Sequence, residues 1–161
     1  MRMTYPNKPE NTNLLQPTKY ILTFSDIPDT VYFCQKVNIP GISIGMVTQV
    51  SPNLDFFIPG TKITYNEFQM DFIVNEDLSS WLSIYNWMKN ITTDNVKTKR
   101  PQGEAVLTIL SNQNNPKLRL LFSNIFPHTL GDIEMDTTLS AENHMVATGS
   151  FKYDYFLVQK V

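Results

Sequence analysis

One stretch of this chain, Asn75 to Ile91 (NEDLSSWLSIYNWMKNI), spaces its apolar residues as a helix does and as no strand can. Leu78, Trp81, Leu82, Tyr85, Met88 and Ile91 recur every three or four residues and so share one helical face. Asn75, Asp77 and Ser79 are N-cap types, and Glu76 and Asp77 place negative charge at the positive end of the helix dipole. The spacing predicts a helix at about 78–91. Ile84 and Trp87 fall outside the main stripe, so the apolar surface is wider than one packing partner needs. That excess points to a second partner.

Around this helix the chain reads as strands joined by turns. YILTF alternates, breaks at Ser25-Asp26-Ile27-Pro28-Asp29 and resumes in VYFCQKVNI, which predicts a β-hairpin. GISIGMVTQV is strand-like, and Ser51-Pro52-Asn53 and Pro59-Gly60 bracket a loop that carries Asp55, Phe56 and Phe57. Phe68, Met70, Phe72 and Val74 then alternate with Glu67, Gln69, Asp71 and Ile73 at a clean period of two. After the helix comes a long polar loop, followed by a hairpin of GEAVLTIL and KLRLLFSNI turning at Asn112 to Pro116. Phe126-Pro127-His128 reads as a break, GDIEMDTTL as a strand and MVATGSFKYDYFLV as one long final strand. The fold class expected is mainly β, about seven strands and one helix: two packed antiparallel sheets or a small β-barrel flanked by that helix.

Composition narrows the functional classes. At 161 residues the chain is expected to form a single domain over 14–161, preceded by a polar, proline-bearing arm over 1–13. A formal net charge of −2 with 17% charged residues lacks the basic excess of a nucleic-acid-binding protein. A single cysteine, Cys34, excludes an intrachain disulfide framework, and packing is its expected role. The opening residues contain no apolar run, so neither a signal peptide nor a membrane span is expected there. His128 and His144 stand far apart without a nucleophile constellation, and no phosphate loop, HExxH or zinc spacing occurs. No catalytic, metal or cofactor site is expected.

Four motifs stand in order along the chain: FCQKVNIPGI, the IPGT at Ile58 to Thr61, FQMDFIVNEDLSSWLSIYNWM, and NIFPHTLGDIEMDTTLSAENHMVATGSFKYDYFLV, which together span most of residues 14–158. In this order they resemble the tail-tube proteins of contractile-tailed bacteriophages and, more distantly, the type VI secretion tube protein. The resemblance implies a self-assembling virion protein: hexameric rings stacked into a hollow tube, either as the repeating subunit or as a tube-like baseplate ring. It further implies sheath, baseplate and tape-measure proteins as partners, genomic DNA passing through the lumen without specific binding, no membrane, and assembly in the host cytoplasm. The rival from another class is a monomeric β-barrel module that holds a small apolar ligand between its sheets.

Site candidates follow from these readings. Asp132, Glu134 and Asp136 repel one another on one strand face, which is either a solvated face or a lumen wall that keeps DNA from sticking. Ile84 and Trp87 are candidates for a subunit interface, where tryptophan is enriched, or are covered by the N-terminal arm. Phe56 and Phe57 are either core residues at a strand end or the tip of a docking loop. Lys97, Lys99 and Arg100 form a basic loop, solvated or in contact with the next ring or the sheath.

Overall fold

In the computed structural model, which describes residues 12–93, 103–138 and 144–161, one strand of 15 residues, Pro116–Leu130, serves two antiparallel sheets. The described elements run β1 Tyr20–Phe24, α1 Pro28–Tyr32, β2 Cys34–Val37, β3 Ile42–Gln49, β4 Phe56–Tyr65 and β5 Phe68–Ile73. They continue with α2 Ser79–Thr93, β6 Gly103–Leu110, β7 Pro116–Leu130, β8 Val146–Lys152 and β9 Tyr155–Lys160. The first half of β7 lies between β6 and β9, and β6 pairs in turn with β1. Its second half pairs with β8, which continues through β5 to β2. A separate two-stranded ribbon, β3–β4, pairs with neither sheet.

The mainly β, two-sheet architecture read from the sequence is therefore present, with five local corrections. The expected β1–β2 hairpin does not form: β1 pairs with β6 and β2 with β5. Pro28 instead opens the short helix α1, whose first turn suits a residue with fixed φ and no N–H. Phe126-Pro127-His128 is not a break, because β7 runs through it with a register shift between Pro127 and Thr129. A bulge is where a strand tolerates proline. The long final strand is two strands, β8 and β9, parted at Tyr153–Asp154 so that each half serves a different sheet.

GDIEMDTTL forms no strand over its described residues, Gly131 to Thr138. The Asp136 carboxylate accepts hydrogen bonds from the Thr138 backbone N–H at 2.8 Å and from its hydroxyl at 2.7 Å, an Asx turn that competes with ladder pairing. Phe56 and Phe57, finally, sit in no loop; they open strand β4.

The helix forms where expected, but its inward face differs. Leu78 takes a positive φ of 55° just before α2, and the Asn75 side chain caps from outside by accepting from the Ser80 N–H at 3.2 Å. Buried residues on α2 are Ser80, Ile84 and Trp87, whereas Leu82 and Tyr85 of the main stripe are 41% and 43% exposed. Small Ser80 lets the helix approach α1, where the buried Thr30 hydroxyl donates to the Ser80 carbonyl at 2.8 Å. A polar residue thus marks the packed face, and a count of apolar residues passes over it.

Between the sheets the core is aromatic. Phe24 and Phe151 lie 5.2 Å apart, Phe68 and Phe122 5.0 Å apart, and the Trp87 ring meets Phe24 edge-on at 6.4 Å. Met70, Phe72, Leu107, Leu120 and Ile125 complete it, nearly all without exposed surface. Each such side chain contributes about 1.5–3 kcal/mol on burial, and the aromatic pairs add roughly 0.5–1.5 kcal/mol apiece.

Candidate assembly interface

The β3–β4 ribbon is the feature the core does not explain. Across residues 42–65 the chain holds two charged residues, Asp55 and Lys62, yet all of β3 and most of β4 are exposed. Paired residues share a face of a ribbon, so the register sorts its side chains. Near the base, Ile42, Ile44, Ile63 and Tyr65 lie on one face and Ser43 and Thr64 on the other. The base is amphipathic. Beyond the register shift between Ile44 and Met46, the pairs are Met46 with Pro59, Val47 with Ile58, Thr48 with Phe57 and Gln49 with Phe56. Both faces of this outer half are apolar: Met46 is 70%, Val47 62%, Phe56 53% and Phe57 66% exposed.

Exposed apolar residues scattered singly are ordinary, but a contiguous two-faced patch marks an interaction site. The ribbon is anchored, not loose. Tyr65 at its base packs on Tyr153 at 5.9 Å and on Phe156 at 5.4 Å, Asn66 N–H donates to the Gly41 carbonyl at 3.0 Å, and the Tyr153 hydroxyl donates to the Asn66 carbonyl at 2.8 Å. Burial pushes the Tyr153 phenol up to about 12, with Tyr65 beside it adding to the shift.

A second unsatisfied feature is a seam. Among the described residues β1 and β2 are the two ends of the strand path, each with one partner, and the fold brings these ends together. The Tyr20 hydroxyl donates to the Gln35 carbonyl at 2.9 Å across the gap, without a ladder between the strands. Hollows lined by Tyr20, Val31, Cys34, Val37, Ile39 and Ile109 run along it, and Lys19 is the one charged residue in their lining. Burial raises the Cys34 thiol above its ordinary value, and burial likewise pushes Tyr20 up to about 12. Strand β9 is open on one side as well, with Leu157 and Val158 exposed.

The sequence-derived candidates fall in different places. Phe56 and Phe57 are on the ribbon, on opposite faces. Ile84, at 0% exposure, and Trp87, at 8%, are in the subunit's own core, so they offer no surface to a neighbour. Phe24 and Phe151 pack against Trp87. Asp132, Glu134 and Asp136 are exposed, but on a coil and not on a strand face. Lys97, Lys99 and Arg100 lie outside the described residues, as does most of the 1–13 arm. Sequence reasoning missed the seam altogether. Among the described residues no group of three or more His, Cys, Asp or Glu is placed to hold a metal, and no helix is long and apolar enough to cross a membrane.

This architecture is the tail-tube fold of contractile tails and injection machines. It superposes on the tube-terminating cap of the anti-feeding prophage with a TM-score of 0.70 at 14% identity, covering 99% of this chain and 100% of that one. It also superposes on the sheath/tube terminator of the PVC extracellular contractile injection system with a TM-score of 0.66 at 16% identity, over 91% of this chain and 97% of that one. In sequence, the chain is 27% identical over 159 residues to the tail tube terminator protein of Enterobacteria phage T4, covering 92% of this chain and 90% of that protein. No protein-family model matches. The tail-tube resemblance read from the residues holds, and these relatives are structural components of tail tubes, not enzymes.

Proposed function

We propose that this chain is the terminating subunit of a contractile phage tail tube, copies of which join into a ring that caps the tube and leaves a channel for DNA. The observation that carries this reading is the outer half of the β3–β4 ribbon, apolar on both faces and left uncovered among the described residues. Similarity to the T4 tail tube terminator supports the end of the tube over its repeating length or its baseplate start. The ring is hexameric, as the tail-tube resemblance implies; its partners are the last tube ring and the surrounding sheath, and its place is the virion tail.

Magnitudes favour a ring over an isolated pair. Covering Met46, Val47, Phe56, Phe57 and Ile58, each about half exposed or more, is worth roughly 5–9 kcal/mol at about 1.5–3 kcal/mol per fully exposed side chain. Association itself costs about 4–15 kcal/mol. One contact barely breaks even, while a closed ring repeats it around the circle. The ligand-module reading fares worse, because the space between the sheets is filled by Phe24, Phe68, Phe122 and Phe151.

Electron microscopy of preformed tail tubes mixed with this protein tests the reading. The expected result is a ring of added density at one tube end and arrested elongation. The double variant Val47→Asp, Phe57→Asp should lose that density while keeping the circular dichroism and unfolding midpoint of the parent. Incorporation along the tube length would make it a repeating subunit, and failure to add to tubes at all would end the reading.

A further inference from the structure

The β1–β2 seam and the β3–β4 ribbon have complementary shapes and chemistry, and we infer that the outer half of one copy's ribbon lies along the seam of a second copy of this chain. This rests on the ring reading above and names the contact that would close such a ring. At the seam, two strand edges meet without a backbone ladder, bridged by the Tyr20 hydroxyl on the Gln35 carbonyl. Unpaired edges bordering an apolar hollow are a site for strand addition. The ribbon supplies what the seam lacks, since β3 and β4 each have a free edge.

Length and charge agree. The ribbon's outer half spans four residue pairs, from Met46–Pro59 to Gln49–Phe56, against 5 residues in β1 and 4 in β2. The outer half carries no charge in these pairs, and the hollows' lining carries only Lys19. Beyond a single anion facing Lys19, the charges of a charged partner would go uncompensated against this lining, which disfavours it. The contact is heterologous: each copy gives a ribbon and receives one, so successive copies follow by rotation, and the contacts form a ring when that rotation divides the circle evenly. One apolar face of the ribbon covers the seam. Its other face remains for a further neighbour in the stack, which explains why the outer half is apolar on both sides and the base on one.

Cys34 makes the inference directly testable, because it lines the seam and is the single cysteine of the chain. Met46→Cys and Val47→Cys place a thiol on either face of the ribbon, and a disulfide forms only where Cα atoms come within about 4.4–6.8 Å. Oxidation of assembled rings should yield a ladder of covalent multimers from one of these variants. The ladder should vanish when Cys34→Ser is added, and should be absent from Thr64→Cys on the polar face of the base. In the unaltered protein, alkylation of Cys34 should slow at least tenfold on ring formation. A ladder that survives Cys34→Ser, or rings in which neither variant links and Cys34 alkylates at the monomer rate, would overturn the inference and leave the ring reading intact. Absence of rings in the unaltered protein would instead count against the ring reading itself.

Discussion

Gly60 faces Gly45 across the β3–β4 ribbon so closely that a Cβ on Gly60 would lie 2.6 Å from the Gly45 carbonyl oxygen. The contact falls at the register shift that divides the amphipathic base from the two-faced outer half. Gly60→Val must push one strand off the other at that point, and the displaced atom is backbone, which cannot swing away. Because the ribbon is exposed and apart from the core, the unfolding free energy should change by less than about 1 kcal/mol. Ring assembly, scored by sedimentation over a concentration series, should weaken at least tenfold.

Trp87 and Ile84 behave oppositely. Both are enclosed by the core, so Trp87→Ala should cost about 3–5 kcal/mol and Ile84→Ala about 2–5 kcal/mol in denaturant unfolding, through lost burial and the cavity left behind. Tyr85→Ala, on the open side of α2, forfeits little more than its stacking on Trp81 at 5.5 Å and should cost clearly less than either. Equal costs at Trp87 and Tyr85 would place the wrong face inward.

What could be read from residues alone divides along the same line. Period-two alternation at Phe68, Met70 and Phe72 identified β5 and its buried face, and turn residues at Asn112 to Pro116 marked the β6–β7 hairpin correctly. Alternation reveals a strand but not its partner: it sets β1 beside its neighbour in sequence, whereas β1 pairs with the distant β6, Phe24 opposite Ala105. The buried face of α2, Ser80, Ile84 and Trp87, keeps a helical spacing but opens on a polar residue, so counting apolar residues selects the neighbouring stripe instead. Phe56 and Phe57 read as core or loop tip because apolar sequence does not disclose exposure. The seam joins the two ends of the strand path, so no local pattern could announce it.

Tyr20 and Tyr153 should titrate late. Burial holds both phenols up to about 12 against an ordinary value of 10.0, and Cys34 beside Tyr20 and Tyr65 beside Tyr153 add to the shift. A raised folded-state value means that the neutral phenol is favoured by the fold. The stabilisation is therefore whole below pH 10 and is lost as pH rises toward 12. Absorbance titration of phenolate should show a late component that shrinks in Tyr20→Phe and again in Tyr153→Phe. Alkaline unfolding should move to higher pH in the double variant, which has no phenol to ionise at either position.

Asp132, Glu134 and Asp136 remain candidates for the channel wall, now as an exposed coil segment following β7. Asp136 is the wrong residue with which to test that role, because its carboxylate holds the turn at Thr138 and those hydrogen bonds keep its pKa low. Asp132→Lys with Glu134→Lys reverses the charge while sparing the turn, and with both side chains in solvent the unfolding midpoint should hold. If this segment lines the lumen, two added lysines per subunit, repeated around a ring, would bind the phosphate backbone in transit. Genome release from particles carrying the variant should then slow, and the delay should shrink as salt is raised, since phosphate contacts weaken through counterion release. Release at the unaltered rate in both low and high salt would place the segment away from the DNA path.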